Sequence, residues 1–235
     1  MKLWPVLLSV VLLVSNVDAQ EIPQKAKKIF NEAVDLVADD DYSGALDKFN
    51  EAISAAPEFA KAYLERGKIE MKSGNMENAL KDILKALEIN DNLAEAYFYK
   101  GYMYYKSEQY DSAVENYTRA IQNAYQTPKA YYFRGLANFH QQDYSNAIMN
   151  FSMAIDKKYD LYLAYHERGS AKMESGDLQG AIKDFETALQ YKDIPVIYNS
   201  LGNAHLKLSD YQTAIDYFTK AINKKPNYYN AYINR

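Results

Sequence analysis

At 235 residues and a formal net charge of −4, the chain lacks the basic surplus that binding a nucleic-acid backbone requires. It contains no cysteine, which excludes disulfides, thiol catalysis and cysteine-ligated zinc. Glycine is sparse and no low-complexity linker appears, so length alone allows one or two globular domains.

Residues 1–19, MKLWPVLLSVVLLVSNVDA, open with Lys2, run through an apolar stretch at 6–14 and close on Val17-Asp18-Ala19. The stretch is too short to span a bilayer. The pattern predicts a secretory signal peptide cleaved after Ala19, hence export to a periplasm or out of the cell. An uncleaved anchor is the alternative; a bacterial lipoprotein would need a cysteine at the cut. Residues 20–25 read as a loose leader.

From residue 26 the chain repeats. Gly67, Gly101, Gly135, Gly169 and Gly202 are spaced by 34, 34, 34 and 33 residues. Ala45, Ala79, Ala113, Ala147, Ala181 and Ala214 keep the same beat, and so do Ala52, Ala86, Ala120, Ala154, Ala188 and Ala221. The period divides the chain into units 26–59, 60–93, 94–127, 128–161, 162–194 and 195–228. Residues 229–235 start a seventh unit, so more repeats or another domain are expected beyond Arg235. A fixed period of this size predicts a solenoid, in which each unit buries its apolar face against its neighbours.

Each unit reads as two helices. Tyr97, Gly101 and Tyr104 share one helical face at i, i+4 and i+7; Ala113, Tyr117 and Ala120 do so in the second helix. The small residues allow the backbones to approach closely. A break falls near 107–109, and the second helices open on Asp41, Asn75, Gln109, Asp143, Asp177 and Asp210. Five of these are Asp or Asn, whose side chains accept from free first-turn N–H groups. Thr127 before Pro128 predicts an N-cap followed by proline at the first helical position, and Asn92 with Glu95 has the spacing of a capping box.

These residues resemble the tetratricopeptide repeat family, through Tyr63…Gly67…Ala79…Ile83…Ala86 and Tyr131…Gly135…Ala147…Phe151…Ala154. The resemblance covers nearly all of the chain from residue 26. It implies an all-α, right-handed superhelical solenoid of helix-turn-helix repeats with a peptide-binding concave face. The chain departs from the pattern in Ala33 for the first glycine, in the terminal proline kept only at Pro57 and Pro226, and in basic residues before the glycine at Arg66, Lys100, Arg134 and Arg168.

A search for reactive chemistry yields little. His140, His166 and His205 have no partner at metal-ligand spacing, and no phosphate loop, nucleophile elbow or zinc-protease helix occurs. His205 reads as a packed residue; His140 and His166 are expected to face the groove. Asp39-Asp40-Asp41 reads as a solvated turn with a cap. Asn116-Tyr117-Thr118 and Asn150-Phe151-Ser152 match glycosylation acceptors but lie inside predicted helices. The expectation is therefore a non-enzymatic scaffold with no cofactor and no metal.

One residue around from the packing face lies the expected groove. In units 3 and 4 it offers Phe98, Tyr102, Tyr105, Tyr132, Leu136 and Phe139; in units 5 and 6 it turns polar with His166, Asn199 and Asn203. At two of the positions where the chaperone-tail class clamps a peptide carboxylate, unit 1 has Phe30 and Val34, so that clamp is absent as a set. An apolar, aromatic-bearing or helical protein segment is the expected ligand, with no nucleic acid. The alternative is the interaction arm of a larger exported enzyme or sensor. Tyr105 and Phe139 are expected to pack between first helices. Ten tyrosines are expected in the core: Tyr63, Tyr97, Tyr131, Tyr165, Tyr198 and Tyr232 in first helices, and Tyr42, Tyr110, Tyr144 and Tyr211 opening second helices.

Overall fold

The computed structural model describes residues 21–235, so the expected signal peptide lies outside the described residues. Within them the chain is entirely helical. The helices are α1 (Gln24–Ala38), α2 (Tyr42–Ala55), α3 (Ala60–Lys72), α4 (Met76–Ile89), α5 (Ala94–Lys106), α6 (Tyr110–Gln122) and α7 (Pro128–His140). They continue as α8 (Tyr144–Asp156), α9 (Leu161–Ser175), α10 (Leu178–Tyr191), α11 (Pro195–Lys207), α12 (Tyr211–Lys224) and α13 (Tyr229–Asn234). Each odd helix packs closely on the even helix after it, and each even helix packs on the next odd one. The result is a solenoid of hairpins. The first helix begins at Gln24, inside the stretch read as leader.

The close approach within a hairpin has one repeated cause. A Cβ added at Gly101 would lie 2.9 Å from the Tyr117 ring, at Gly135 2.8 Å from Phe151, and at Gly169 2.7 Å from Phe185. The aromatic ring of the second helix therefore rests on bare first-helix backbone. Unit 2 uses the smaller Ile83 against Gly67. A further row, Ala62, Ala96, Ala130, Ala164 and Ala231, is fully buried.

Local turn chemistry explains the hairpins. The second helices start directly after the six expected cap residues; Asp41, Asp143, Asp177 and Asp210 accept from backbone N–H, whereas Asn75 and Gln109 do not. Asn75 instead donates to Glu70 at 2.7 Å. One residue before each cap the chain turns left-handed, at Asp40, Glu108, Gln142 and Ser209 and at Gly74 and Gly176. This closes the preceding helix with a backbone bond such as Gln109 N–H to Tyr104 C=O at 2.9 Å. Thr127 caps α7 as expected. The capping box at Asn92 does not form: Leu93 occupies the N-cap of α5, and Glu95 instead accepts from Lys68 of the preceding hairpin at 3.0 Å.

The three arginines before the glycines tie neighbouring hairpins together, whereas Lys100 stands over the Tyr104 ring of its own helix. Arg66 donates to both carboxylate oxygens of Asp82, and Arg168 to both of Asp184. A third nitrogen reaches back to the preceding second helix, at Asn50 and at Ser152. Arg134 repeats the pattern with the neutral pair Asn150 and Thr118. Without a carboxylate, burial lowers the Arg134 pKa, while the hydrogen bonds to Asp82 and Asp184 raise those of Arg66 and Arg168.

The ten-tyrosine expectation is corrected in part. Tyr97 and Tyr131 are buried; Tyr42, Tyr63, Tyr110, Tyr144, Tyr165 and Tyr198 are half-buried; Tyr211 and Tyr232 are exposed. Arg66, Arg134 and Arg168 sit over the rings of Tyr63, Tyr131 and Tyr165 at 5.2–5.8 Å. These rings serve as cation platforms as much as core.

Candidate functional site

Consecutive first helices approach one another, α5 with α7, α7 with α9, α9 with α11 and α11 with α13, whereas consecutive second helices do not come as close. The stack therefore bends with its first helices on the inside. On that inner face lie the residues expected to line the groove.

They divide into two sets. Phe98 and Tyr132 are only 1% and 7% exposed, and Asn199 is buried as well. Tyr102, Tyr105, Leu136, Phe139, His166 and Asn203 remain half-buried. Tyr105 packs as expected on the next first helix, against Phe133 and His140, whereas Phe139 meets Tyr144 of its own unit; the most buried of the aromatic set are Phe98 and Tyr132.

The reason is an interlock between neighbouring units. At four of the junctions the sixth residue of a unit leans on the fifth residue of the unit before, and at three of them on the ninth as well; Tyr132 is instead covered within its own unit, by Phe151 at 5.8 Å and Tyr159 at 4.7 Å. Phe133 lies 6.1 Å from Phe98 and 5.4 Å from Tyr102, ring centre to ring centre. Tyr99 packs with Leu64, with the Lys68 ammonium 5.3 Å from its ring. His166 Nε2 is 2.9 Å from Ser200 Oγ. Asn234 donates to Asn199 and Asn203, at 3.1 Å each. Tyr99, Phe133 and Asn234 were missed as groove-shaping residues; the signal was the aromatic pair Tyr99 and Phe133, spaced by one period and one residue beyond Phe98 and Tyr132.

Phe133 is the hub of the face. Its ring also contacts Tyr105, Tyr117 and Tyr132. Beside it opens a notch of about 300 Å³, walled by Met71, Met76, Phe98, Tyr102, Phe133 and Lys129. The Lys129 ammonium stands 5.6 Å and 5.8 Å from the Phe98 and Phe133 rings. Lys68, deeper in the face, bonds Glu65 at 2.9 Å as well as Glu95. Burial opposes its charge, yet these carboxylates raise its pKa above the usual lysine value. Burial pushes the Tyr125 hydroxyl up to about 12 and Tyr132 higher still, with Glu167 adding to the latter. These phenols stay protonated at neutral pH and can serve as hydrogen-bond donors.

The histidines divide as well. His140 is exposed, lies parallel to Tyr110 at 4.6 Å and stands 3.3 Å from the Tyr105 hydroxyl. His166 is held by Ser200 and by Glu167 at 3.2 Å. His205 bonds Asp210 at 3.0 Å and stacks on Tyr217. Among the described residues no three His, Cys, Asp or Glu side chains gather to hold a metal. The face offers rings, a few hydroxyls and two lysines, Lys68 paired with carboxylates and Lys129 beside the rings.

Comparison with known proteins supplies the context. A family model described as tetratricopeptide repeat matches residues 30–95 and 98–158; two further models of the same description match 162–193 and 195–228. Tetratricopeptide repeat protein 36 homolog of Nematostella vectensis is 32% identical over 79 residues, 34% of this chain and 43% of that relative. The chain thus spans less than half of the length of that curated relative. Among solved structures, YrrB, titled a TPR protein with an unusual peptide-binding site, matches with a TM-score of 0.73 at 21% identity, over 79% of this chain and 96% of YrrB. PilW, titled a widely conserved type IV pilus biogenesis factor, matches with a TM-score of 0.74 at 18% identity, over 90% of this chain and 98% of PilW. MamA from Desulfovibrio magneticus RS-1 matches with a TM-score of 0.65 at 20% identity, over 73% of this chain and 97% of that one. At these identities the likeness concerns the fold alone.

Proposed function

We propose that this chain, which belongs to the tetratricopeptide repeat family, is an exported scaffold that holds a segment of another protein along its inner face, with no covalent step. The family fold makes it a protein–protein interaction scaffold; the groove, the segment and the export are our reading.

One observation carries it. With Phe98 and Tyr132 already buried, the inner face still presents Tyr102, Tyr105, Leu136 and Phe139 half-buried, and Tyr102 walls an open notch. Burying a large side chain fully contributes about 1.5–3 kcal/mol, and completing the burial of one already half-buried contributes about half of that. Four such anchors supply part of the roughly 8 kcal/mol of micromolar binding; the ligand's own apolar side chains, buried against them, supply the rest and offset the association costs. YrrB's title names a peptide-binding site, which supports the reading by analogy of fold.

The test pairs capture from the exporting compartment with calorimetry on the captured partner. Tyr102→Ala with Leu136→Ala removes two half-buried anchors, whereas Tyr132→Ala would open a hole in the core. The double variant should keep its circular dichroism and bind at least tenfold more weakly; unchanged affinity in a folded variant would overturn the groove. Export predicts that the secreted chain begins at Gln20 on N-terminal sequencing.

A further inference from the structure

We propose that the Tyr117 hydroxyl is the buried specificity determinant of this groove, and that it selects a segment bringing a tyrosine beside an acidic residue. The proposal rests on the groove reading above and names the side chain that the groove prefers.

Tyr117 belongs to the row that rests on the first-helix glycine. The other units place Phe49, Ile83, Phe151, Phe185 and Phe218 there. Four phenylalanines show that the row packs well without a hydroxyl. Tyr117 is 0% exposed, and its hydroxyl is the one buried side-chain polar atom among the described residues with no hydrogen-bond partner. An orphan of this kind costs stability, so packing alone does not account for it.

Its surroundings place it beneath the groove. The ring lies 5.6 Å from Phe98 and 6.3 Å from Phe133. Burial raises its pKa far above the usual tyrosine value, with smaller contributions from Tyr105 and Tyr102. Both are half-buried first-helix side chains touching Phe133. Phe133 thus links them to the Tyr117 ring, and partly exposed side chains change rotamer on a fast timescale. In the proposal, a turn of Tyr102, which walls the notch, is the step that opens the Tyr117 hydroxyl to a guest.

The occupant follows from what the space and the orphan need. The walls are Phe98, Tyr102 and Phe133, so the body of the guest is flat and apolar. Its far end must be polar and able to donate and accept, as a phenol does. Phenylalanine fills the same space and leaves the hydroxyl unpaired, which is the basis on which a site rejects an analogue lacking one hydroxyl. At the rim, Lys129 faces rings and makes no ion pair among the described residues, so a carboxylate next to the tyrosine complements it.

The experiment pans a random-peptide phage library on the wild-type chain and on Tyr117→Phe. The wild type should enrich tyrosine, with a neighbouring Asp or Glu, at one position. Tyr117→Phe should lose the preference for tyrosine over phenylalanine there. With the selected peptide and its Tyr-to-Phe version, calorimetry should show about a tenfold difference on the wild type and none on the variant. Tyr117→Phe should melt no lower than the wild type, which separates lost recognition from lost folding. The same consensus on both proteins, or equal affinity of the two peptides for the wild type, overturns the proposal. If those peptides are still lost on Tyr102→Ala, the groove reading survives; if they bind that variant unchanged, or if nothing is selected, both fall.

Discussion

Arg168 grips Asp184 with two parallel hydrogen bonds of 2.8 Å and reaches Ser152 of the preceding hairpin with a third nitrogen at 3.0 Å. One side chain thus ties together two helices of its own unit and the second helix of the unit before. Lys172 adds a third contact to the same carboxylate at 2.8 Å. Asp184 is buried. Asp184→Ala should cost about 3 kcal/mol, because it strands two cations against a low-dielectric wall. Asp184→Asn, which copies the Arg134–Asn150 arrangement, should cost less. Urea unfolding of both variants orders them, and equal losses would show that charge contributes nothing here.

The contact of glycine with a ring predicts the opposite failure, too little room. In Gly169→Ala the new methyl meets Phe185 at 2.7 Å and the Ala181 carbonyl at 3.2 Å. The expected cost is about 2 kcal/mol of overpacking. Adding Phe185→Ile, the residue type of unit 2 against Gly67, should return part of that loss, so the two changes should be non-additive in thermal melts.

The left-handed turn at Glu108, with φ of 58°, is a mild conformational cost that units 2 and 5 avoid with Gly74 and Gly176. Glu108→Gly should stabilise the chain by about 1 kcal/mol. Gly74→Ala, at φ of 86° with open space around it, should destabilise by a similar amount. Denaturant midpoints with unchanged slopes would confirm that the effect is local.

Asp210 caps α12 through the Thr213 N–H and also holds His205. The Thr213 hydrogen bonds and His205 hold its carboxyl below the usual aspartate pKa. A depressed folded value contributes stability that is present above the unfolded pKa near 3.9 and is lost as pH falls through the folded one. Asp210→Ala should therefore lower the melting temperature at pH 7 and flatten its acid dependence. Melts across the acid range, wild type against variant, check the sign.

The period, the break inside each hairpin and five working caps were legible because they depend on neighbours in sequence. A left-handed residue one position before the cap and an aromatic against a glycine are written within a single unit of 34 residues. The basic residues before the glycines were visible as departures, yet their use was hidden: Arg66 reaches Asp82 across 16 residues and Asn50 in another unit. The groove was legible as a face but not as an inventory. Whether Phe98 meets a ligand or a neighbour depends on how far one first helix is rotated against the next. That rotation is decided by side chains of the adjacent unit, above all Phe133. Likewise Asn92 and Glu95 had the spacing of a cap, but Lys68 of the preceding hairpin claimed the carboxylate. Short-range chemistry decides each hairpin; the contacts between hairpins decide which of its rings remain open to a ligand.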